Sequence, residues 1–289
     1  MIRVIMLDGD ALIADGKVMP HVPEALDVLT KFEPAARASL VVSLVSDYEM
    51  PTTPVTPRKV NTIFRKYVAM LDELRLKEFF EPVELRVTLS TQAGVFKPDA
   101  RLFKKAIQRL RLRAGLDECL SVGNNAEQVK ACRALGMSAL LLDDWAQAPL
   151  LIARVVSPAS AFNLRLALQL PLATTYDVQL VRLDDAQSRN VIHAIGKKLF
   201  PVPLKTETIE VPFTVQLDIS FDKQGKIRDV KTDQPTAEAI AESADYVETL
   251  EANNQISHGE ANAKGSSTYE LVVDKKGRKV LTRKRFFAS

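Results

Sequence analysis

The chain is poor in the residues that build disulfide frameworks and metal clusters. Its 289 residues include only two cysteines and three histidines. Cys119 and Cys132 both lie in apolar patterns, which favours reduced core thiols in a cytoplasmic protein over a disulfide-stapled secreted domain. His21, His193 and His258 have no metal-ligand spacing, so we assign them no role.

Long apolar runs and a strong charge of either sign are missing as well. No run approaches the ~18 apolar residues of a membrane helix, so we expect no membrane span. Met1 leads directly into a predicted strand, so we expect no amino-terminal signal peptide. The net charge of +3 is too small to indicate a polyanionic partner. The remaining composition, 46% apolar and 26% charged, is that of a globular protein of one or two domains.

The most informative segment is an apolar strand that ends in two carboxylates. Residues 3–10 read RVIMLDGD, in which β-branched Val4 and Ile5 predict a buried strand. Asp8 and Asp10 follow it at the carboxyl edge, where open α/β sheets bind ligands. Two crowded carboxylates repel unless a cation or a shared proton intervenes. The alternative interpretation is an Asp-Gly turn beside a helix cap.

Three further segments place polar residues where a strand ends or a helix begins. One of these residues is Lys97, whose positive charge before a predicted helix opposes the helix dipole. Its position therefore suggests a functional role, although a solvated surface lysine is the simpler interpretation. In chain order the segments are Val41–Asp47, which ends in Ser46 and Asp47, Gly94–Asp99, which contains Lys97 and Pro98, and Cys119–Asn125, which ends in Gly123 and Asn124.

In order and spacing, these four segments resemble the haloacid dehalogenase (HAD) superfamily of aspartate-nucleophile hydrolases, most of which are phosphatases. The resemblance covers roughly residues 1–144, and its most specific parts are Phe96–Phe103 and Cys132–Met137. It implies a Rossmann-like parallel sheet in an α/β protein. It also implies hydrolysis of a small phosphorylated substrate, with Asp8 forming an aspartyl-phosphate.

The resemblance implies roles for the other residues too. Asp10 would be the general acid and then the base for water. Ser46 and its neighbour Asp47 would bind the substrate, and Lys97 would neutralise nucleophile and phosphate as a point charge. Mg²⁺ would be held by Asp8, the Asp10 carbonyl and Asn124.

Several positions depart from the superfamily pattern. Ala11-Leu12 replaces the usual Gly-Thr, and Asn124 and Gln128 replace two metal-supporting acids. Each acid-to-amide change removes a charge worth at most about 4 kcal/mol at ~4 Å and an effective dielectric of 20. We therefore expect weak Mg²⁺ binding, which Glu127 could strengthen if it reaches the site.

Two alternatives to a phosphatase follow from the same segments. Metal-free dehalogenases of the superfamily carry a similar Asn125-Ala126, but they lack the second acid and bind haloacids beneath a cap, so Asp10 counts against them. The other alternative is a non-catalytic HAD-fold binding or scaffold protein that has lost its metal-supporting acids.

The short intervals between the segments predict no full cap domain. Cover over the site would come from the Pro/Thr-rich loop at 50–57 or from the second half.

Beyond residue 147 the resemblance stops. We expect a hydrolase core at 1–147, a connector or packing segment at 148–174 and a smaller α+β domain with two β-hairpins at 175–289. Within that domain we predict a helix over Asp185–Leu199, a boundary at Pro201 and Pro203, and a strand over Val211–Phe221. Two turns share the pattern Asp-Lys-x-Gly-basic, at 222–226 and 274–278. A duplicated hairpin and common turn chemistry explain them equally well.

The carboxyl-terminal hairpin carries seven basic residues against two acidic ones over 269–289. The favoured interpretation is a charged edge strand that blocks edge-to-edge pairing, with Phe286 and Phe287 in the core. The alternative is a nucleic-acid surface, with those rings stacking on bases. The sequence otherwise indicates a small phosphorylated substrate or an unidentified macromolecule as partner, and it predicts no oligomeric state.

Overall fold

The computed structural model describes residues 1–32, 40–50, 56–156, 161–188, 191–257 and 267–284. Over these ranges the chain divides into two compact units, 1–171 and 172–289. Outside these ranges lie residues 51–55 of the Pro/Thr-rich loop, His258, Phe286 and Phe287.

The first unit is built on a parallel sheet with flanking helices. Its strands are β1 (Val4–Asp8), β2 (Ile13–Ala14), β3 (Lys17–Val18), β4 (Val41–Ser46), β5 (Val87–Leu89), β6 (Cys119–Gly123) and β7 (Ser138–Leu141). Its helices are α1 (Gly9–Leu12), α2 (Val22–Thr30), α3 (Pro57–Glu73), α4 (Val83–Arg86), α5 (Ser90–Ala93), α6 (Ala100–Arg109), α7 (Ala126–Ala134) and α8 (Ala148–Val156).

The five-stranded sheet has the order β5-β4-β1-β6-β7, with every neighbouring pair parallel. This confirms the predicted α/β class and the Rossmann-like sheet. Between β1 and β4 the described residues form only α1, the β2–β3 pair and α2, so no cap domain stands there. Cys119 and Cys132 are buried free thiols, as predicted.

Local contacts set where the elements on either side of Lys97 begin. Residues 83–86 form α4, so β5 begins at Val87 and pairs with β4 over Val87–Leu89. The helix after Lys97 begins at Ala100, since the Asp99 carboxylate accepts a hydrogen bond from Arg101 N at 2.8 Å and caps the helix. Pro98 therefore precedes the cap residue and lies outside the helix.

Residues 148–174, predicted as a connector, form α8 and most of α9 (Ala161–Thr175). Leu150 and Ile152 on α8 are fully buried, and α8 contacts α2 within the first unit. The division between the two units falls inside α9, after Pro171. No helix in the described ranges has the length and apolar content to cross a bilayer.

The second unit is mostly sheet. Its strands are β8 (Val178–Ser188), β9 (Val191–Pro203), β10 (Thr208–Phe221), β11 (Ile227–Thr232), β12 (Ile256–Ser257), β13 (Tyr269–Val273) and β14 (Lys279–Arg283), and its helix is α10 (Ala237–Ala252). They form one sheet in the order β12-β13-β14-β10-β9-β8. β11 is not part of this linear order but also pairs with β10. Val247 and Leu250 of α10 pack with Ile209, Leu271 and Leu281 of the sheet.

The predicted helix over Asp185–Leu199 is wrong, and so is the boundary at Pro201 and Pro203. Residues 191–203 form β9, which pairs with β10 from Val191↔Ser220 to Pro203↔Thr208. Burial along β9 alternates, with Ile192, Ala194 and Gly196 buried between more exposed neighbours. This two-residue period marks a strand, and the long ladder outweighs weak local preferences.

The two Asp-Lys-x-Gly-basic turns have the same hydrogen bonds. Asp222 Oδ1 accepts from the backbone N–H groups two and four residues later, at 2.9 Å each. Asp274 Oδ1 does the same, at 2.8 and 2.9 Å. Gly225 and Gly277 have φ angles of 87° and 76°, the left-handed region that favours glycine.

We predict that Gly196→Ala destabilises the second unit. A Cβ at this position would lie 2.7 Å from Leu217 Cδ1 and 2.8 Å from Val178 Cγ1, so these two buried side chains would have to move. Overpacking of this kind costs about 1–3 kcal/mol. Chemical denaturation measures the free energy of unfolding of this variant. The control is Thr214→Val, a change at an exposed position, which should stay within about 0.5 kcal/mol of wild type. Equal stability of the two variants would contradict it.

Candidate active site

The carboxyl ends of three parallel strands bring the predicted site residues to one edge of the sheet. Asp8 ends β1 and pairs in register with Val45 of β4, so Ser46 follows directly beside it. On the other side β6 ends at Gly123, and Asn124 comes next in the chain. The sheet topology therefore places these polar residues together, as expected for parallel strands.

Asp8 and Lys97 form a buried ion pair at the centre of this edge. Their side chains are 8% and 5% exposed, and Lys97 Nζ contacts Asp8 Oδ1. Asp8 Oδ1 also accepts a hydrogen bond from Asp10 N at 3.1 Å. The Asp10 carboxylate is 63% exposed, and its Oδ2 lies 3.6 Å from Lys97 Nζ. The Lys97 ammonium group is therefore close to the carboxylates of both Asp8 and Asp10.

Burial raises the pKa of Asp8 above its ordinary value. The Lys97 ammonium opposes this change by its charge and its hydrogen bond, while the nearby Asp10 carboxylate adds to it. The net direction is upward, so the folded protein holds this carboxylate in its charged form at a cost.

Asp47 and Ser46 lie beside the pair. Asp47 Oδ1 accepts a hydrogen bond from Lys97 N at 3.1 Å and so fixes the backbone that carries the lysine. Burial is the main cause that raises the pKa of Asp47. Ser46 is 2% exposed and its hydroxyl donates to the Asp47 carbonyl at 3.4 Å. Phosphate binding by Ser46 would require this hydroxyl to change acceptor.

Asn124 contacts the short helix α1, which contains Asp10. Its Nδ2 donates to the Asp10 carbonyl at 3.3 Å, and turning the amide over would present its oxygen there instead. With Asp8, these groups supply oxygen donors of the type that Mg²⁺ prefers. No group of three or more His, Cys, Asp or Glu suited to a metal occurs in the described ranges. These residues therefore fit a Mg²⁺ site whose ligands carry little negative charge.

A cavity of about 10 Å³, the size of one water molecule, borders Asp8 and Lys97. Gln128 also lines this cavity. Glu127 does not line the cavity and is exposed in the first turn of α7. The structure thus gives Glu127 no contact with Asp8 that would replace the missing acids.

Two further residues lie at the site although no sequence pattern places them there. Tyr67 on α3 is 2% exposed, and a Cβ on Gly9 would lie 2.6 Å from its hydroxyl and 2.4 Å from Ser46 Oγ. Gly9 is therefore needed to let both hydroxyls approach β1. Burial raises the pKa of Tyr67, with the Ser46 hydroxyl opposing it. Only the helical spacing of α3 pointed to Tyr67, and that signal indicates burial without indicating the site.

Trp145, the single tryptophan of the chain, is the second such residue. Its Nε1 donates to the Ala11 carbonyl at 2.7 Å, and its side chain is buried. Ala11 follows Asp10 in α1, so the indole is hydrogen-bonded to the short helix that carries Asp10. Intrinsic fluorescence therefore reports on this helix.

Several solved structures are similar to part of this chain at low sequence identity. An uncharacterized protein from Corynebacterium glutamicum matches with a TM-score of 0.37 and 14% identity, over 54% of this chain and 96% of its own. YfnB from Bacillus subtilis, a HAD-hydrolase candidate bound to magnesium, matches with a TM-score of 0.31 and 13% identity, over 44% and 45%. D,D-heptose 1,7-bisphosphate phosphatase from Burkholderia thailandensis matches with a TM-score of 0.28 and 16% identity, over 50% and 93%.

The structural neighbours thus include HAD-hydrolase and phosphatase folds. At these scores the likenesses carry no argument about the chemistry of this chain. No protein-family model and no curated protein matches it.

We predict that Lys97→Met makes the stability of the protein strongly pH-dependent. Without the ammonium, burial and Asp10 raise the pKa of Asp8 further, so the folded state binds a proton that the unfolded chain releases. Stability of the variant should be closest to wild type below the ordinary pKa of aspartate and fall as pH rises through the raised value. Each further pH unit by which the pKa of Asp8 rises lowers the free energy of unfolding by about 1.4 kcal/mol.

Denaturation of wild type and variant between pH 4 and 8 measures this effect. Lys104→Met removes an exposed lysine of α6 and serves as the matched control. A stability loss in Lys97→Met that is the same at every pH would mean that Lys97 does not govern the charge of Asp8.

Proposed function

We propose that the first unit is a HAD-like hydrolase that cleaves phosphate esters through Asp8. The observation that carries this proposal is the buried carboxylate at the end of β1, in contact with Lys97 and with the exposed acid Asp10 close by. A buried carboxylate beside an ammonium suits attack on phosphorus, and a solvent-exposed acid two residues later suits proton transfer. The four sequence segments and the parallel sheet support the same family.

In the first step the Asp8 carboxylate attacks phosphorus, and the bond from phosphorus to the ester oxygen breaks. Asp10 gives its proton to the departing alkoxide, which leaves as the alcohol. In the second step Asp10, now a carboxylate, takes a proton from water as the water oxygen attacks phosphorus. The acyl-phosphate bond breaks, releasing inorganic phosphate and restoring Asp8. Lys97 remains charged throughout and offsets negative charge on nucleophile and phosphate.

Asp8, the Asp10 carbonyl and the Asn124 amide oxygen would hold Mg²⁺. When bound, the ion supplies positive charge that offsets the phosphate. Asp47 holds the Lys97 backbone in place through its 3.1 Å hydrogen bond. Ser46, next to it, would donate to a phosphoryl oxygen once its hydroxyl leaves the Asp47 carbonyl.

A second candidate is a non-catalytic binding or scaffold protein with the same fold. The observation in its favour is the hydrogen bond from Asn124 to the Asp10 carbonyl, which engages two of the groups that a metal would need. Such a protein would bind phosphorylated molecules at Asp8 without turnover. Quenching or enhancement of Trp145 fluorescence by inorganic phosphate, with no hydrolysis of any ester, would favour this candidate.

We predict that Asp8→Asn abolishes hydrolysis of p-nitrophenyl phosphate in the presence of Mg²⁺. Asparagine cannot form the acyl-phosphate, but it keeps an oxygen for Lys97 and Asp10 N. The substitution leaves the buried Lys97 ammonium with the more distant carboxylate of Asp10, at 3.6 Å, so we expect some loss of stability, and a melting curve shows whether the variant is folded. Asp27→Asn, which changes an exposed acid of α2, is the control and should leave turnover unchanged.

Chemical trapping tests the intermediate directly. Borohydride reduces an acyl-phosphate to an alcohol, so quenching wild type during turnover should convert residue 8 to homoserine, detectable by mass spectrometry. Wild-type turnover without this product, or undiminished turnover in Asp8→Asn, would remove Asp8 from the nucleophilic role.

We predict that Mg²⁺ binds in the millimolar range and that Asn124→Asp tightens it. The substitution restores one negative charge beside the Asp10 carbonyl, with an upper limit of about 4 kcal/mol, or roughly a thousandfold. Isothermal calorimetry measures this without any need for turnover. Asn125→Asp adds the same charge one residue later, where the side chain already accepts hydrogen bonds from Glu127 N and Gln128 N. Equal gains from both variants would mean that Asn124 does not face the metal.

A further inference from the structure

The second unit contains a cleft of about 1270 Å³, formed entirely by residues of that unit. The proposed hydrolase chemistry uses none of its side chains. Its walls come from β8, β9, β10, β13, β14 and α10, with Ala173 at the end of α9. Its volume exceeds the ~300–1,000 Å³ that small-molecule sites commonly have, so a ligand of that size fits it with room for water.

The cleft lies where two neighbouring strands separate. β10 and β14 are parallel and share a single bridge, Glu210↔Val280. Both chains continue in the same direction beyond it, and the next residues, Val211 and Pro212 on one side and Leu281 and Thr282 on the other, line the cleft. Pro212 has no N–H, which removes a donor from β10 and disfavours its pairing with a further strand. The opening is therefore better suited to a ligand than to an added strand.

The walls combine apolar surface with two tyrosines. Val178, Leu199 and Val247 add to the apolar lining. Tyr246 and Tyr269 meet edge to face, with ring centroids 6.3 Å apart and hydroxyl oxygens 3.2 Å apart. Tyr246 is 51% exposed, so its ring is accessible to a ligand in the cleft.

The charged lining is positive. Lys197, Arg283 and Lys284 line the cleft, and neither Lys197 nor Arg283 has an ion-pair partner among the described residues. Lys284 donates to Ser267 Oγ at 2.6 Å and keeps its charge. The acid in the lining, Asp177, is neutralised by Arg278 at 2.7 Å and Lys276 at 3.1 Å. The cleft therefore offers uncompensated cations beside apolar walls.

We propose that this cleft binds an amphipathic organic anion, with its acidic group at Lys197, Arg283 and Lys284 and its apolar body against the strand walls and tyrosines. Nucleic acid is the less suitable occupant. Of the basic residues of the carboxyl-terminal hairpin, Lys276 and Arg278 are paired with Asp177, and Lys279 is paired with Glu207. Among the described residues of the hairpin, this pairing reduces the number of free cations that could follow a phosphate backbone.

The experiment titrates the full chain with 1-anilinonaphthalene-8-sulfonate, an aromatic anion that fluoresces in apolar surroundings. We expect saturable binding with one site per chain. The double variant Lys197→Gln/Arg283→Gln should weaken it at least tenfold, and Lys197→Gln with Arg283→Lys should recover part of the loss. Lys223→Gln/Arg228→Gln removes the same charge from exposed positions outside the cleft and should not change the affinity.

Competition then distinguishes the sources of the anion. Displacement by dodecanoate indicates an acyl ligand and displacement by naphthalene-2-carboxylate an aromatic one, while dodecanol, which has no charge, should compete poorly. Melting temperatures of all variants show that they fold. Absence of saturable binding, equal weakening by the two double variants, or stronger competition by ten-nucleotide oligothymidylate than by either carboxylate would overturn the proposal.

Discussion

The ion pair between Asp8 and Lys97 is the contact on which the candidate site depends. Two side chains that are 8% and 5% exposed could not both remain charged without each other, because burial penalises each charge separately. Their segments lie on different strands and loops, so the pair fixes the loop before α6 against the end of β1. Asp47 reinforces this by binding Lys97 N. The resulting rigidity holds a carboxylate and an ammonium in one orientation, as a site for a charged substrate requires.

The strands of the first unit were largely predictable because each has a clear local sequence pattern. Runs such as Val4–Leu7 and Val41–Val45 are apolar and β-branched, and each stops at a polar residue, so parallel topology alone brings Asp8 and Ser46 together. Tyr67 and Trp145 could not be predicted in the same way. Their roles come from long-range contacts, with Gly9 and with the Ala11 carbonyl, that leave no periodic signal in the sequence.

In the second unit, local and tertiary preferences conflict. Ala194, Lys197 and Lys198 favour a helix over a strand, and Gly196 favours neither. The segment becomes β9 because pairing with β10 extends over its whole length, and because Gly196 lets Leu217 and Val178 approach closely. The turns at Asp222 and Asp274 were predictable by contrast, since each encodes its own hydrogen bonds within five residues.

The charge balance at the sheet edge bears on the choice between an enzyme and a binding protein. The charged groups that act on Asp47 are Lys97, Asp8 and Asp10, so three carboxylates face one ammonium. A site that only captured phosphate would carry excess positive charge, whereas an incoming phosphate here meets a net negative cluster. Its affinity must come from an added cation or from bond formation to Asp8. The surplus of carboxylates therefore fits the proposed hydrolase better than a protein that only captures phosphate, and the proposed Mg²⁺ site is weakest where Asn124 and Gln128 lack the charge of an acid.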